Sequence, residues 1–309
     1  MWQKFRSLPA RVVRSLWERP PRDVVRALQR RLLPGGTSRY DLDAIFASPK
    51  YSRTQRAFDF LNRYEMIIRR VHPDWAPLDF AGKRVLELGC GPNLGWGPLA
   101  VFLGCSAYVS TEPMFDPAVW DHPQFKNPYL LGCYRDFTGL FGPRLEFDAF
   151  CRMVRERITV VPDTHLQKSL GGDFDIMLSN SVLEHISPLP ESIAALRSLA
   201  APGGRFLHCV DFGSHRPLSH PLQEIYTMEP EAYFRKQGRH VNLFRATDIL
   251  EFFQKNGFSC QMTPYYSARE YYPDTLHPYW KDRYDPEILF LKVGIFHGST
   301  PSTSPSADG

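Results

Sequence analysis

Residues 84–97 read Arg84-Val-Leu-Glu-Leu-Gly-Cys-Gly-Pro-Asn-Leu-Gly-Trp-Gly97. Val85, Leu86 and Leu88 make a short apolar run that predicts a buried strand. The glycines after it predict a tight turn, and a helix is expected from about Pro98. With no side chains at Gly89 and Gly91 a ligand can lie against the backbone, and glycine takes positive φ without steric cost. Ligands of open α/β sheets bind at the carboxyl ends of the strands, where such a turn sits. Spacing alone leaves the ligand open. The dinucleotide fingerprint is G-x-G-x-x-G, whereas here the third glycine comes one residue later, at Gly95. Glu87 stands two residues before the first glycine, and a carboxylate there suits a cationic amine better than a pyrophosphate.

Outward from this turn, short apolar runs alternate with helical patterns, which predicts βαβ units in a mainly parallel sheet. Strands are expected near 84–88, 107–111, 158–161, 174–179, 204–210, 257–264 and 287–296. Seven strands with helices between most of them make one doubly wound α/β domain. Before it, residues 52–71 read as a helix: Phe58, Leu61, Tyr64, Ile67, Ile68 and Val71 recur at helical spacing, and His72-Pro73 closes it. The domain is assigned to residues 41–297. The low-complexity stretch 298–309 is expected to be a disordered tail. No internal repeat is present.

Glu87-Leu-Gly89-Cys-Gly91 resembles motif I of the class I S-adenosylmethionine-dependent methyltransferases, and further matches follow in that family's order. Ala107–Thr111 ends at Glu112, where the family places the acid that grips the ribose hydroxyls. Val160-Val-Pro-Asp163 is similar to the end of the third strand, where an acid contacts adenine. Phe174-Asp-Ile-Met-Leu-Ser-Asn-Ser-Val-Leu-Glu-His-Ile186 resembles the fourth strand and its turn, especially in the methyltransferase type 11 group. Ala201-Pro-Gly-Gly-Arg-Phe-Leu207 and His240-Val-Asn-Leu-Phe244 resemble the approaches to the fifth and sixth strands. The resemblance spans roughly residues 80–265 and the last strand. It implies a Rossmann-like methyltransferase fold and S-adenosylmethionine as cofactor, with Glu87, Gly89, Cys90, Gly91, Glu112, Asp163 and Asn180 as its binding residues. Cys90 enters as a small side chain of the turn, not as a reactive thiol. Segments 113–143 and 266–286, rich in aromatic residues and proline, are expected to form the acceptor side.

Methyl transfer from a sulfonium is an in-line displacement, so the enzyme mainly aligns the acceptor and excludes water. A hydroxyl acceptor profits from a general base. His185 is the first candidate, because an imidazole titrates near neutral pH; Asp211, His215 and His240 are alternatives at or near the same rim. His208, His215 and His220 would want supporting carboxylates to hold a metal, and no metal site is expected. The fourth strand ends in Ser179-Asn180-Ser181-Val182, unlike the Asn/Asp-Pro-Pro-aromatic turn of base-methylating enzymes. The body carries no basic stripe to track phosphates. A small-molecule, saccharide or lipid-linked acceptor methylated on oxygen is therefore expected, and nucleic acid is not. A non-catalytic binding module of the same fold and an NAD-dependent oxidoreductase are the rivals.

The chain has 309 residues, 43% of them hydrophobic, enough for a full core. Its net charge of +4 is unevenly spread: residues 1–40 hold ten Lys and Arg against Glu18 and Asp23, which leaves the rest mildly acidic. Within this arm Val12, Val13, Leu16 and Trp17, then Val24, Val25, Leu28 and Leu32, fall on helical faces beside arginines. Two readings stay open: a membrane-surface anchor over residues 1–36, or helices packed on the body. Six scattered cysteines with no C-x-x-C pair read as neither a zinc site nor a disulfide framework. No apolar run is long enough to span a bilayer, and a cytoplasmic setting is expected.

Overall fold

The computed structural model describes residues 39–162, 166, 170–215 and 220–302. Residues 1–38 of the basic arm and Asp163 lie outside the described residues. Seven apolar runs become strands: β1 (Arg84–Leu88), β2 (Ala107–Thr111), β3 (Ile158–Val161), β4 (Phe174–Asn180), β5 (Ala200–Asp211), β6 (Ser259–Ser267) and β7 (Leu291–Ser299). They form one sheet in the order β3-β2-β1-β4-β5-β7-β6. β1 to β5 pair in parallel, while β7 is antiparallel to both β5 and β6. From β1 the chain winds outward through β2 and β3, then returns to place β4 on the other side of β1. The strand order therefore reverses between β1 and β4, and such a switch point opens a crevice at the carboxyl ends. Register completes the picture: Leu88 stands beside Thr111 of β2 and beside Ser179 of β4, so three strand ends finish level around one opening.

The helices, in chain order, are α1 (Leu42–Ala47), α2 (Arg56–Val71), α3 (Gly97–Phe102), α4 (Leu131–Phe141), α5 (Phe147–Arg157), α6 (Leu189–Leu199), α7 (Gln223–Tyr226), α8 (Pro230–Gln237), α9 (Ala246–Lys255), α10 (Pro278–Lys281) and α11 (Pro286–Phe290). Successive strand residues face opposite sides of the sheet. Val85, Ile176, Leu178 and Leu207 join a core with Leu61 and Ile68 of α2, Phe102 of α3 and Phe150 of α5. Leu86, Met177 and Phe206 join a second core with Ile193 and Leu196 of α6 and Ile249 and Phe253 of α9. A third cluster, built from Leu222, Ile225, Tyr226, Tyr233, Trp280 and their neighbours, gathers the residues between β5 and α9 with those after β6.

Several boundaries differ from expectation. α2 starts at Arg56, four residues late; the Thr54 hydroxyl hydrogen-bonds Asp136 of α4 and holds the preceding turn out of the helix. Val71, expected on the apolar face, is 57% exposed. Residues 286–290 are helical because Asp285 and Pro286 start a helical turn there, with Pro at its first position, and the last strand begins at Leu291. The ordered body also runs past residue 297: Gly298 and Ser299 belong to β7, and buried Thr300 donates its hydroxyl to the Ala201 carbonyl at 2.6 Å. Residues 303–309 lie outside the described residues. Phe125, Leu130, Cys133 and Phe137 of segment 113–143, expected on the acceptor side, are buried in the same core as β1.

Candidate active site

Gly89 follows β1 directly and has φ +68°; Gly91 has φ +65°. A Cβ on Gly89 would lie 2.5 Å from Cγ2 of Val182, whereas a Cβ on Gly91 would meet nothing within 4 Å. The first glycine lets the turn after β4 pack beneath it. The second leaves backbone open to a ligand. Both border a cavity of about 650 Å³ at the β1/β4 switch point, which is lined also by Glu87, Cys90, Glu112, Asn180, Val182, His185 and His215.

Glu112, just beyond β2, is buried; its carboxylate accepts the Gly91 N–H at 2.8 Å and the Met114 N–H at 3.1 Å. Two turns are thereby tied to one acid at the cavity wall, and a carboxylate is an acceptor suited to paired hydroxyl donors. Burial first, then the charge of Glu112 beside it, pushes the Tyr40 hydroxyl up from its ordinary range. Asn180, at the end of β4, receives the Tyr64 hydroxyl on Oδ1 at 2.7 Å. Cys90 is buried, and its thiol is pushed well up by burial and by Glu87, consistent with a packing role.

Glu87 is almost fully buried beneath the turn. Its Oε2 accepts from the Trp96 N–H at 3.3 Å and from the Tyr108 hydroxyl, and Gly95 packs directly on the carboxylate. Burial pushes its pKa up to about 8, with the two hydrogen bonds acting the other way. Glu87 thus braces the loop from below as well as bordering the cavity, and an ammonium beside it would favour the ionised form.

The opposite rim is built after β4. His185 and His215 both line the cavity and meet edge to face, with ring centroids 4.7 Å apart. His185 Nδ1 lies 2.6 Å from the His240 carbonyl oxygen, which can only accept, so Nδ1 carries the proton and Nε2 keeps its lone pair. Burial holds the His215 pKa below its ordinary value, against the opposing pull of Asp211. Asp211 stands behind, paired with Lys292 Nζ at 2.7 Å; among the described residues neither it nor His240 borders the cavity. The turn is pinned by Asn242, whose side-chain amide donates to the Leu183 and Ile186 carbonyls at 2.7 and 3.0 Å. His208 is instead buried in the sheet against Ser179, and His220 packs on Tyr271, so the three-histidine set does not form.

Sequence reasoning missed the third wall. Tyr40, Lys50, Tyr51, Arg56 and Phe60 line the cavity from α2 and the residues preceding it. This layer is docked over the glycine turn by Asn93 Nδ2 on the Tyr51 carbonyl (2.6 Å) and by Trp96 Nε1 on the Ala57 carbonyl (2.8 Å). From segment 113–143, Pro113, Met114 and Tyr129 reach the cavity; segment 266–286 packs into the third cluster, and among the described residues none of it borders the cavity.

The family model for a methyltransferase domain matches residues 56–262, from the start of α2 into β6 and more than half of the chain. The chain belongs to this methyltransferase-domain family. It is an enzyme of S-adenosylmethionine-dependent methyl transfer, as the resemblance implied. Solved structures similar to this chain include an S-adenosylmethionine-dependent methyltransferase from Mesorhizobium loti (15% identity, 75% of this chain and 97% of that one, TM-score 0.41). Another is an O-methyltransferase family protein from Burkholderia thailandensis (13%, 84% and 62%, TM-score 0.41). A third is Phospholethanolamine N-methyltransferase 2 of Haemonchus contortus (16%, 84% and 59%, TM-score 0.43). Likenesses at this level carry no argument. The search of curated proteins returned no match. The glycine cradle and the Glu112 carboxylate fit the cofactor of a methyltransferase, because open backbone meets a paired-hydroxyl acceptor in one cavity.

Proposed function

We propose that the chain methylates an oxygen of a small-molecule, saccharide or lipid-linked acceptor seated where His185 and His215 meet, and that this rim takes up the hydroxyl proton. The observation that carries the reading is the shared cavity. His185, with a lone pair left on Nε2, and His215 border the same space as Gly89, Gly91 and Glu112. In this reading Glu112 accepts the ribose hydroxyls, Gly89 to Gly91 lie along the cofactor, Glu87 braces the turn beside its amino end, and Asn180 closes the floor. Asp163 is proposed for the adenine on the resemblance alone. Bound there, S-adenosylmethionine supplies an electrophilic methyl group. The chain's own residues hold the acceptor in line, keep water out and remove the proton.

Tag-free protein incubated with methyl-labelled cofactor and a panel of hydroxylated acceptors tests this, with mass spectrometry locating the label. Methyl ether or ester formation is expected, and His185→Ala and His215→Ala should lower turnover about 100-fold while leaving S-adenosylhomocysteine affinity intact. Label found on nitrogen or carbon, or unchanged turnover in both variants, contradicts the oxygen reading. Cofactor binding with no transfer to any acceptor favours a non-catalytic module.

A further inference from the structure

Three side chains at the acceptor rim form a group that proton transfer alone does not account for. Glu184, His185 and His215 each offer one donor atom, and these atoms lie within 4.8 Å of one another. Glu184 is 3% exposed, and its Oε2 is buried with no hydrogen-bond partner among the described residues. Its Oε1 accepts the Asp211 N–H at 3.3 Å and lies 3.4 Å from His215 Nε2. Among the described residues no lysine or arginine pairs with it, since Lys292 is engaged by Asp211. A buried carboxylate oxygen without a partner is costly and calls for a cation or a proton. His185 shows the second mark of a ligand: its Nδ1–H is held by the His240 carbonyl, which fixes the ring and leaves Nε2 to bind.

We infer that Glu184, His185 and His215 bind one divalent transition-metal ion, and that this ion receives the acceptor oxygen. The inference rests on the reading of the rim as the acceptor's seat. Two imidazoles and a carboxylate suit borderline ions such as Zn²⁺, Co²⁺ or Fe²⁺, whereas Mg²⁺ and Ca²⁺ prefer all-oxygen sites. Bonds of about 2.1 Å place tetrahedral donors about 3.4 Å apart, so the three donors close in by about 1 Å through small side-chain rotations. Because His185 and His215 line the cavity, an ion between them borders it and keeps positions open to the acceptor. An ion of this kind lowers the pKa of a bound water to about 7, and a bound hydroxyl is acidified in the same sense. With the ion bound, the O–H bond would break with the electron pair kept on oxygen and the proton would pass to solvent water, so the imidazoles proposed as proton acceptors would serve as ligands instead. No redox change is involved.

The test uses the full, tag-free chain stripped with chelator and titrated with Co²⁺ alone, followed by visible absorption and calorimetry. S-adenosylhomocysteine affinity and thermal melting are measured on the same samples. One Co²⁺ per chain with mixed nitrogen–oxygen bands is expected, and His185→Ala and His215→Ala should each weaken it at least tenfold with unchanged melting and cofactor-product affinity. Glu184→Gln, which keeps the shape and removes the charge, should do the same. Should Glu184→Gln fail to fold, the two histidine variants decide. Absence of stoichiometric uptake, or uptake that neither histidine variant weakens, overturns the metal site and leaves the methyl-transfer reading standing. Failure of S-adenosylhomocysteine to bind the wild type instead removes the reading on which the site rests.

Discussion

Alanine at Gly91 and alanine at Gly89 separate ligand contact from packing. Both residues have positive φ, and an alanine forced there costs about 1–2 kcal/mol. At Gly91 that strain is the whole structural cost, because the added Cβ would meet nothing within 4 Å. At Gly89 the Cβ would lie 2.5 Å from Val182, and overpacking of this kind adds about 1–3 kcal/mol. Converted at about 2–4 °C per kcal/mol, Gly91→Ala should lower the melting temperature by roughly 2–8 °C and Gly89→Ala by roughly twice that. Affinity should not follow stability. The Gly91 methyl would stand in the cavity where the cofactor lies, so S-adenosylhomocysteine binding should fall at least tenfold, about 1.4 kcal/mol, in the milder of the two variants. Differential scanning fluorimetry and calorimetric titration measure both quantities. Gly91→Ala protein that binds with wild-type affinity would refute the idea that the ligand lies on this backbone.

Three further outcomes are expected. Burial pushes Glu87 up to about 8 in the folded chain, above the ordinary carboxylate range of the unfolded one, so the folded state holds more protons between roughly pH 4.5 and 8. Its contribution to stability is therefore present at low pH and lost as pH rises through that window; urea melts at pH 5.5 and 8 should show the fall, and Glu87→Gln should flatten part of it, whereas an unchanged slope would contradict the burial argument. Buried Arg245 donates to the Phe212 and Leu243 carbonyls and the Tyr226 hydroxyl, at 3.0 to 3.1 Å, so Arg245→Met should cost about 3 kcal/mol or more by leaving these acceptors unpaired. Lysine, with one point-like ammonium, should restore little of the urea midpoint. Deleting residues 1–36 removes nine of the ten basic residues of the N-terminal arm and should abolish sedimentation with anionic liposomes; unchanged sedimentation counts against surface anchoring.

What could be read from the sequence was local. Val85 to Leu88 and the glycines after them make a strand and a turn by short-range rules, and the acid closing β2 and the Asn180 end of β4 sit at strand ends that parallel pairing brings level. The helix over Arg56 and Phe60 is legible in the sequence, but its place at the cavity, with Tyr51 before it, is not, because core packing and two hydrogen bonds between segments some 40 residues apart dock it over the glycine turn. Glu184 stood inside the quoted Leu183-Glu184-His185 run with no assigned role; nothing local says that one of its oxygens is buried without a partner. Aromatic residues of 113–143 suggested an acceptor wall, yet most of the large ones face the core, which periodicity obscured by the kinked turn at Asn127 did not reveal. Asn242 falls in the family-like segment His240–Phe244, and its two bonds to the 183–186 turn explain why an amide stands there.

A crystal structure of the full chain with S-adenosylhomocysteine tests the site most directly. Ribose hydroxyls on the Glu112 carboxylate, with the homocysteine chain along Gly89 to Gly91 and its sulfur toward His185, are the predicted result. Density for the ligand in another cleft, or a ribose that leaves Glu112 untouched, would contradict it.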